Sequence, residues 1–145
     1  MNLLLDTHVW LWSQLEPERL SARAGTALTD PANTLALSPV SVREALLLAE
    51  KGRVDLLPDP WSWIRMAFAT RPMREFPVTH QVALRSRSVR LPHNDPADRL
   101  IAATAMVHGL TLVTADRTLL DCPDIATLPA AQTSELPSHD RTEIG

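Results

Sequence analysis

The sequence predicts an α/β fold in which a central parallel sheet of four to five short strands is flanked by helices on both sides. Three observations carry this: short apolar, β-prone runs recur along the chain, helical stretches with readable start and stop signals lie between them, and the two kinds alternate. Alternation of this sort is the pattern of a parallel sheet covered by helices.

The first strand is the run at residues 2–5, cut off by Asp6, and THVWLW behind it reads as a helix with Asp6 as an available N-cap. TLAL at 34–37 is the second strand, and the helix after it begins near Ser38 or Ser41, whose hydroxyls can hold free backbone N–H groups. Pro58, Pro60, Pro72 and Pro77 break up the middle, leaving WSWIRMAFA as a short amphipathic helix carrying Trp61 and Trp63. Residues 75–78 make a candidate fifth strand, and another helix starts near Thr79. The clearest helix opens at Asp95, with Pro96 in the first helical position, and runs through LIAATAMVH to a stop at Gly109. Residues 110–114 form a strand, RTLLD a short helix behind Asp116, and residues 125–128 a weaker last strand. Residues 1–130 therefore make one domain, and 131–145, polar, aperiodic and containing Pro137, are expected to be a disordered tail with no catalytic part.

Composition narrows the function classes. A chain of 145 residues buries enough surface for one core. No apolar run approaches the roughly 18 residues of a bilayer span, and the opening LLL has no basic residues before it, so neither membrane insertion nor a secretory signal is expected. Cys122 is the single cysteine and no paired CxxC spacing occurs, which fits a reducing, cytoplasmic setting. A net charge of −3 argues against a broadly basic nucleic-acid surface, so polyanion binding has to be local.

In open parallel α/β sheets, ligands bind beyond the carboxyl ends of the strands. Asp6 directly follows the first strand, and Asp116 follows TLVT by two residues. Glu44 lies about two turns into the helix after TLAL, and Asp98 lies in the first turn of the helix leading into TLVT. Four acids can thus meet at one edge. Two carboxylates about 4 Å apart repel by roughly 4 kcal/mol at an effective dielectric near 20, so such a group needs neutralising. The sole lysine, Lys51, is not expected beside any of the four, and Arg43, Arg99 and Arg117 adjoin acids in sequence without having to face the same way. Hard oxygen donors without Cys suit one or two Mg²⁺ or Mn²⁺ ions. Such a site serves phosphodiester hydrolysis by an activated water.

Each acid also has a plain structural account. Asp6 and Asp116 can be N-caps, Asp98 can favour the positive end of its helix, and Glu44 completes a Ser41-Val-Arg-Glu44 capping box if its helix starts at Ser41. Asp95, three residues before Asp98, is a rival or outer ligand, although its place before Pro96 favours the N-cap. Thr114 either orients Asp116 or is a β-branched strand residue. His8, His93 and the four tryptophans read as packing residues rather than as bases or base-stacking platforms.

LLLDTHVWLW, SPVSVREALLLAEKGRVDL and LPHNDPADRLIAATAMVHGLTLVTAD occur in this order and resemble the PIN-domain toxin ribonucleases of the VapC type, from type II toxin–antitoxin pairs. The resemblance spans about residues 1–130. It implies a PIN-like fold and a Mg²⁺- or Mn²⁺-dependent endoribonuclease in which Asp6, Glu44, Asp98 and Asp116 are the metal-binding and catalytic acids. It also implies an RNA substrate, a cognate antitoxin and homodimerisation. Two rival readings are a phosphoacceptor domain of the receiver kind and a catalytically inactive PIN fold kept for protein binding; the first needs a lysine at the phosphate, and only Lys51, where its helix ends, is on offer.

Overall fold

Asn2–Leu5 forms the central strand, β1, and the computed structural model, which describes residues 1–131, builds the sheet outward from it. The expected tail from residue 132 onward lies outside the described residues. Thr34–Leu37 (β2) lies parallel on one side of β1 with Leu3 opposite Leu35, and Thr111–Thr114 (β4) lies parallel on the other with Leu4 opposite Leu112. Arg74–Glu75 (β3) and Ala126–Pro129 (β5) close the two edges, giving the order β3-β2-β1-β4-β5 with every pairing parallel. β3 is two residues long and ends before the 75–78 stretch expected from sequence. Pro77, with no N–H and a fixed φ, cannot continue the ladder, and Phe76 instead turns into the core.

Among the described residues seven helices cover the sheet: α1 (Thr7–Leu15), α2 (Ala22–Thr29), α3 (Pro39–Glu50), α4 (Pro60–Thr70), α5 (His80–Ser86), α6 (Pro96–His108) and α7 (Arg117–Leu120). α2 and the 3₁₀ turn Pro17–Arg19 have no counterpart in the sequence reading. α2 is a short helix capped by Ser21, of a length at which packing rather than local propensity decides.

The period-two alternation of β1 explains why helices sit on both faces. Leu3 and Leu5 pack with Val9, Trp10, Leu28, Ala45 and Ile64, from α1 to α4, on one side. Leu4 packs with Ile101, Ala102, Ala105 and Leu119, from α6 and α7, on the other. Leu3, Leu4 and Leu5 are wholly buried, which stabilises the fold by about 1.5–3 kcal/mol apiece. Trp10 stacks on Phe68 with ring centres 5.6 Å apart and meets Trp63 edge-on, so both are packing residues as expected, whereas Trp61 is exposed.

α6 is fixed at both ends as its sequence foretells. Asp95 Oδ1 accepts from the Ala97 and Asp98 amides, Pro96 takes the first helical position, and Gly109 closes the helix in the left-handed region at φ 64° and ψ 38°. Among the described residues no helix is long and apolar enough to cross a membrane.

Candidate active site

Asp6 stands where β1 becomes α1. Its backbone N–H still bonds to Val113 in β4, while its Oδ1 accepts from the Thr7 amide at 2.8 Å as the helix N-cap. Its other oxygen, Oδ2, accepts from the Thr114 hydroxyl at 2.8 Å, and the Thr114 oxygen in turn accepts from the Asp116 amide at 3.0 Å. Thr114 therefore joins the acids that follow β1 and β4 through one wholly buried hydroxyl. Asp116 is also an N-cap: its Oδ1 accepts from the amide and hydroxyl of Thr118 at 2.9 and 2.7 Å. Capping occupies one oxygen of each acid, so the plain structural account and a ligand role are compatible.

Asp98 enters from α6, with no exposed surface, and its Oδ2 lies 3.7 Å from His93 Nε2. That nitrogen is also 3.4 Å from Thr118 Oγ1, and His93 Nδ1 accepts from the Asp95 amide at 3.1 Å. A path of contacts thus runs from Asp6 through Thr114, Asp116, Thr118 and His93 to Asp98. Asp6, Asp98 and Asp116 are at most 5 % exposed. Arg99, beside Asp98 in sequence, turns away: its guanidinium donates to the backbone carbonyls of Ser86, Val89, Leu91 and His93 at 2.8–3.1 Å.

Glu44 is reached through α3. That helix begins at Pro39, capped by Ser38, so the capping box at Ser41 does not form. Ser41 instead accepts from the Thr7 hydroxyl at 3.0 Å in a buried contact that pins α3 against the start of α1. Glu44, one turn further on and half-buried, lines a cleft with His8, Lys51, Arg53 and Asp95. The expectation that no lysine lies near the acids is corrected here. Lys51 follows Glu44 by seven residues, two turns on the same side of α3, and the helical period brings both to the cleft.

The donor set is carboxylate and hydroxyl oxygen with imidazole beside it, and Cys122, the one thiol, is buried in the α6 core cluster, where burial pushes it up. Hard oxygen donors of this kind fit Mg²⁺ or Mn²⁺ and not a thiolate-seeking ion. Among the described residues no three His, Cys, Asp or Glu side chains form a ready-made metal cage; the connections among Asp6, Asp116 and Asp98 run through hydroxyls and an imidazole, and Glu44 stands on the cleft outside that path. The sequence reading takes His93 for a packing residue and does not single out Thr118, yet the two lie beside Asp98 and Asp116. The only signal was their spacing, His93 two residues before the Asp95 cap and Thr118 two after Asp116, which means nothing until α6 and α7 meet.

A model of the PIN domain family matches residues 3–124. The chain belongs to the PIN-domain family. This PIN domain is 42% identical over 121 residues to ribonuclease VapC22 of Mycobacterium tuberculosis, covering 81% of this chain and 89% of that protein. Among solved structures it is similar to a chain of VapBC2 from Rickettsia felis, a complex bound to a DNA fragment from its promoter. The TM-score is 0.68 at 18% identity, over 90% of this chain and 99% of the other. It is also similar to a chain of FitAcB from Neisseria gonorrhoeae, with a TM-score of 0.54 at 26% identity, over 87% and 96%. The PIN fold with helices on both sides of a parallel sheet is as the sequence foretold, and family membership displaces the receiver-type reading.

Proposed function

We propose that this PIN domain is the ribonuclease toxin of a type II toxin–antitoxin pair, a metal-dependent endonuclease whose Asp6, Glu44, Asp98 and Asp116 hold Mg²⁺ or Mn²⁺, as one or two ions, against an RNA phosphodiester. The observation that carries this reading is the burial of Asp6, Asp98 and Asp116 along one path of contacts at the carboxyl edge of the sheet. Burying ionised carboxylates costs several kcal/mol each unless charge or hydrogen bonds offset it. The 42% identity to a named ribonuclease supports the substrate class.

A bound divalent cation supplies positive charge that makes water a nucleophile near neutral pH and stabilises the phosphoryl group in displacement. The protein's part is placement. Thr114 holds Asp6 Oδ2 and the Asp116 backbone in fixed relation, Ser41 and Thr7 hold α3 so that Glu44 faces the cleft, and Asp95 stays an N-cap in the outer shell. Lys51 and Arg53, on the cleft with Glu44, offer the local positive charge that an RNA backbone needs on a chain of net charge −3. The new bond forms from water oxygen to phosphorus as the bond to the leaving ribose oxygen breaks, and the water's proton ends on that oxygen or in solvent.

The partners are RNA, a cognate antitoxin protein and a second copy of the chain, and the setting is cytoplasmic. Solved relatives named as VapBC complexes support the antitoxin. In the test, Asp6→Asn and Asp98→Asn each abolish Mn²⁺-stimulated RNA cleavage while circular dichroism shows an intact fold, and sequencing the RNA ends from brief expression identifies the cut sites. Full cleavage by a contaminant-free Asp6→Asn protein overturns the assignment. Calorimetry that detects no Mn²⁺ binding at millimolar metal favours the inactive scaffold.

A further inference from the structure

We propose that His93 and Thr118 are positioning residues for Asp116, forming a hydrogen-bond relay of fixed direction from the Asp95 backbone through the imidazole and the Thr118 hydroxyl to the Asp116 carboxylate. The inference rests on the metal-binding reading above and names the residues that hold one ligand in place.

The direction follows from what each group is able to do. An amide N–H only donates, so His93 Nδ1, 3.1 Å from the Asp95 nitrogen, uses its lone pair there. In the neutral ring the hydrogen is then on Nε2, which faces Thr118 Oγ1 at 3.4 Å and Asp98 Oδ2 at 3.7 Å. At the other end an ionised carboxylate only accepts, so the 2.7 Å contact between Thr118 Oγ1 and Asp116 Oδ1 has the threonine hydrogen in it. The threonine lone pairs are thereby turned toward Nε2–H. Both ends impose the same polarity, and aligned hydrogen bonds of this kind reinforce one another.

The segment that presents the imidazole is itself clamped. Arg99 Nε donates to the His93 carbonyl at 2.8 Å, and its terminal nitrogens hold the carbonyls of Ser86, Val89 and Leu91, the residue as a whole being only 8 % exposed. Arg99 thus serves the site by holding the backbone that carries His93, and the relay spans the N-termini of α6 and α7. Its geometric consequence is that the Asp116 carboxylate is oriented by Thr118 from one side and by Thr114, through the Asp116 amide, from the other.

Two variants separate the relay from simple support of the Asp95 loop. His93→Gln can set an amide N–H near the place of Nε2, whereas His93→Asn can set a carbonyl oxygen near that of Nδ1 without reaching Thr118. By calorimetry on the full chain, His93→Asn and Thr118→Val are each expected to weaken Mn²⁺ binding by about tenfold or more, the loss typical of outer-shell partners. His93→Gln is expected to stay within about threefold of the unsubstituted protein, and the double variant His93→Asn/Thr118→Val to be no weaker than either single one. Long-range ¹H–¹⁵N spectra of the metal-free protein should show neutral His93 as the Nε2–H tautomer. An Nδ1–H tautomer, a rescue by Asn and not by Gln, or additive losses in the double variant would overturn the relay. Unchanged Mn²⁺ affinity in both His93→Asn and Thr118→Val overturns it alone; absence of Mn²⁺ binding by the unsubstituted protein overturns it together with the proposed function.

Discussion

Replacing Thr114 by valine removes one oxygen and leaves a side chain of almost the same shape, so its effect isolates the hydroxyl that joins Asp6 to Asp116. Two hydrogen bonds disappear: the donation to Asp6 Oδ2 at 2.8 Å and the acceptance from the Asp116 amide at 3.0 Å. Both partners are nearly sealed from solvent, Asp6 at 2 % and Asp116 at 5 % exposed. Each buried group left short of a partner costs about 1–3 kcal/mol, for a combined loss of roughly 2–6 kcal/mol before the easier burial of a methyl group is counted. That gain, on the order of 1 kcal/mol, leaves a net destabilisation of about 1–5 kcal/mol. At this chain length the melting temperature should then fall by roughly 2–20 °C. The assay is urea denaturation at constant m-value, paired with Mn²⁺ titration. Thr114→Ser keeps the hydroxyl and should retain metal affinity despite losing a methyl group, whereas Thr114→Val should lose about tenfold. A valine variant as stable as the unsubstituted protein and equal to it in Mn²⁺ affinity would refute the reasoning, because the hydroxyl would then organise nothing.

Arg99→Met removes four hydrogen bonds to backbone carbonyls and should cost about 3–5 kcal/mol in urea denaturation, with Arg99→Lys a poor rescue because an ammonium lacks the planar fork. Gly109→Ala should cost about 1 kcal/mol, read from the urea midpoint. The cost there comes from the backbone, since φ is 64° and an added Cβ would meet nothing within 4 Å. Arg90 donates through its side chain and its backbone N–H to Asp124, and these bonds hold the Asp124 carboxyl below its ordinary value. A depressed carboxyl contributes stability above the unfolded value of about 3.9 and loses it as pH falls through the lower folded value. Asp124→Asn should therefore be slightly less stable than the unsubstituted protein at pH 7 and indistinguishable from it in strong acid, as a pH series of thermal melts will show.

The acids were legible one at a time. Asp6 and Asp116 follow apolar runs, Asp98 follows a cap and a proline, and strand ends and helix starts are written locally in residue type and spacing. Family blocks made the same four residues stand out. The extra helix α2, the shortened β3 and the starting residue of α3 were not legible in the same way, because each is decided by what packs beside it. Ser41 shows the reason: its spacing to Glu44 matches a capping box, yet the N-cap is Ser38, three residues earlier, and Ser41 bonds to Thr7 from another helix.

What the sequence by itself determined is the alternation of strands and helices, the parallel sheet with helices on both faces, and which carboxylates stand at strand and helix ends. These depend on periodicity and capping within a few residues, interactions that any short window of chain contains. Only the tertiary structure decided which groups connect those carboxylates. The Thr114 bridge from β4 to Asp6 at the end of β1, the contact of His93, ahead of α6, with Thr118 in α7, and the turning of Arg99 toward the carbonyls of Ser86, Val89 and Leu91 all join residues brought together by packing. A hydrogen bond depends on distance and direction to within tenths of an ångström, and sequence spacing carries no such information across separate elements.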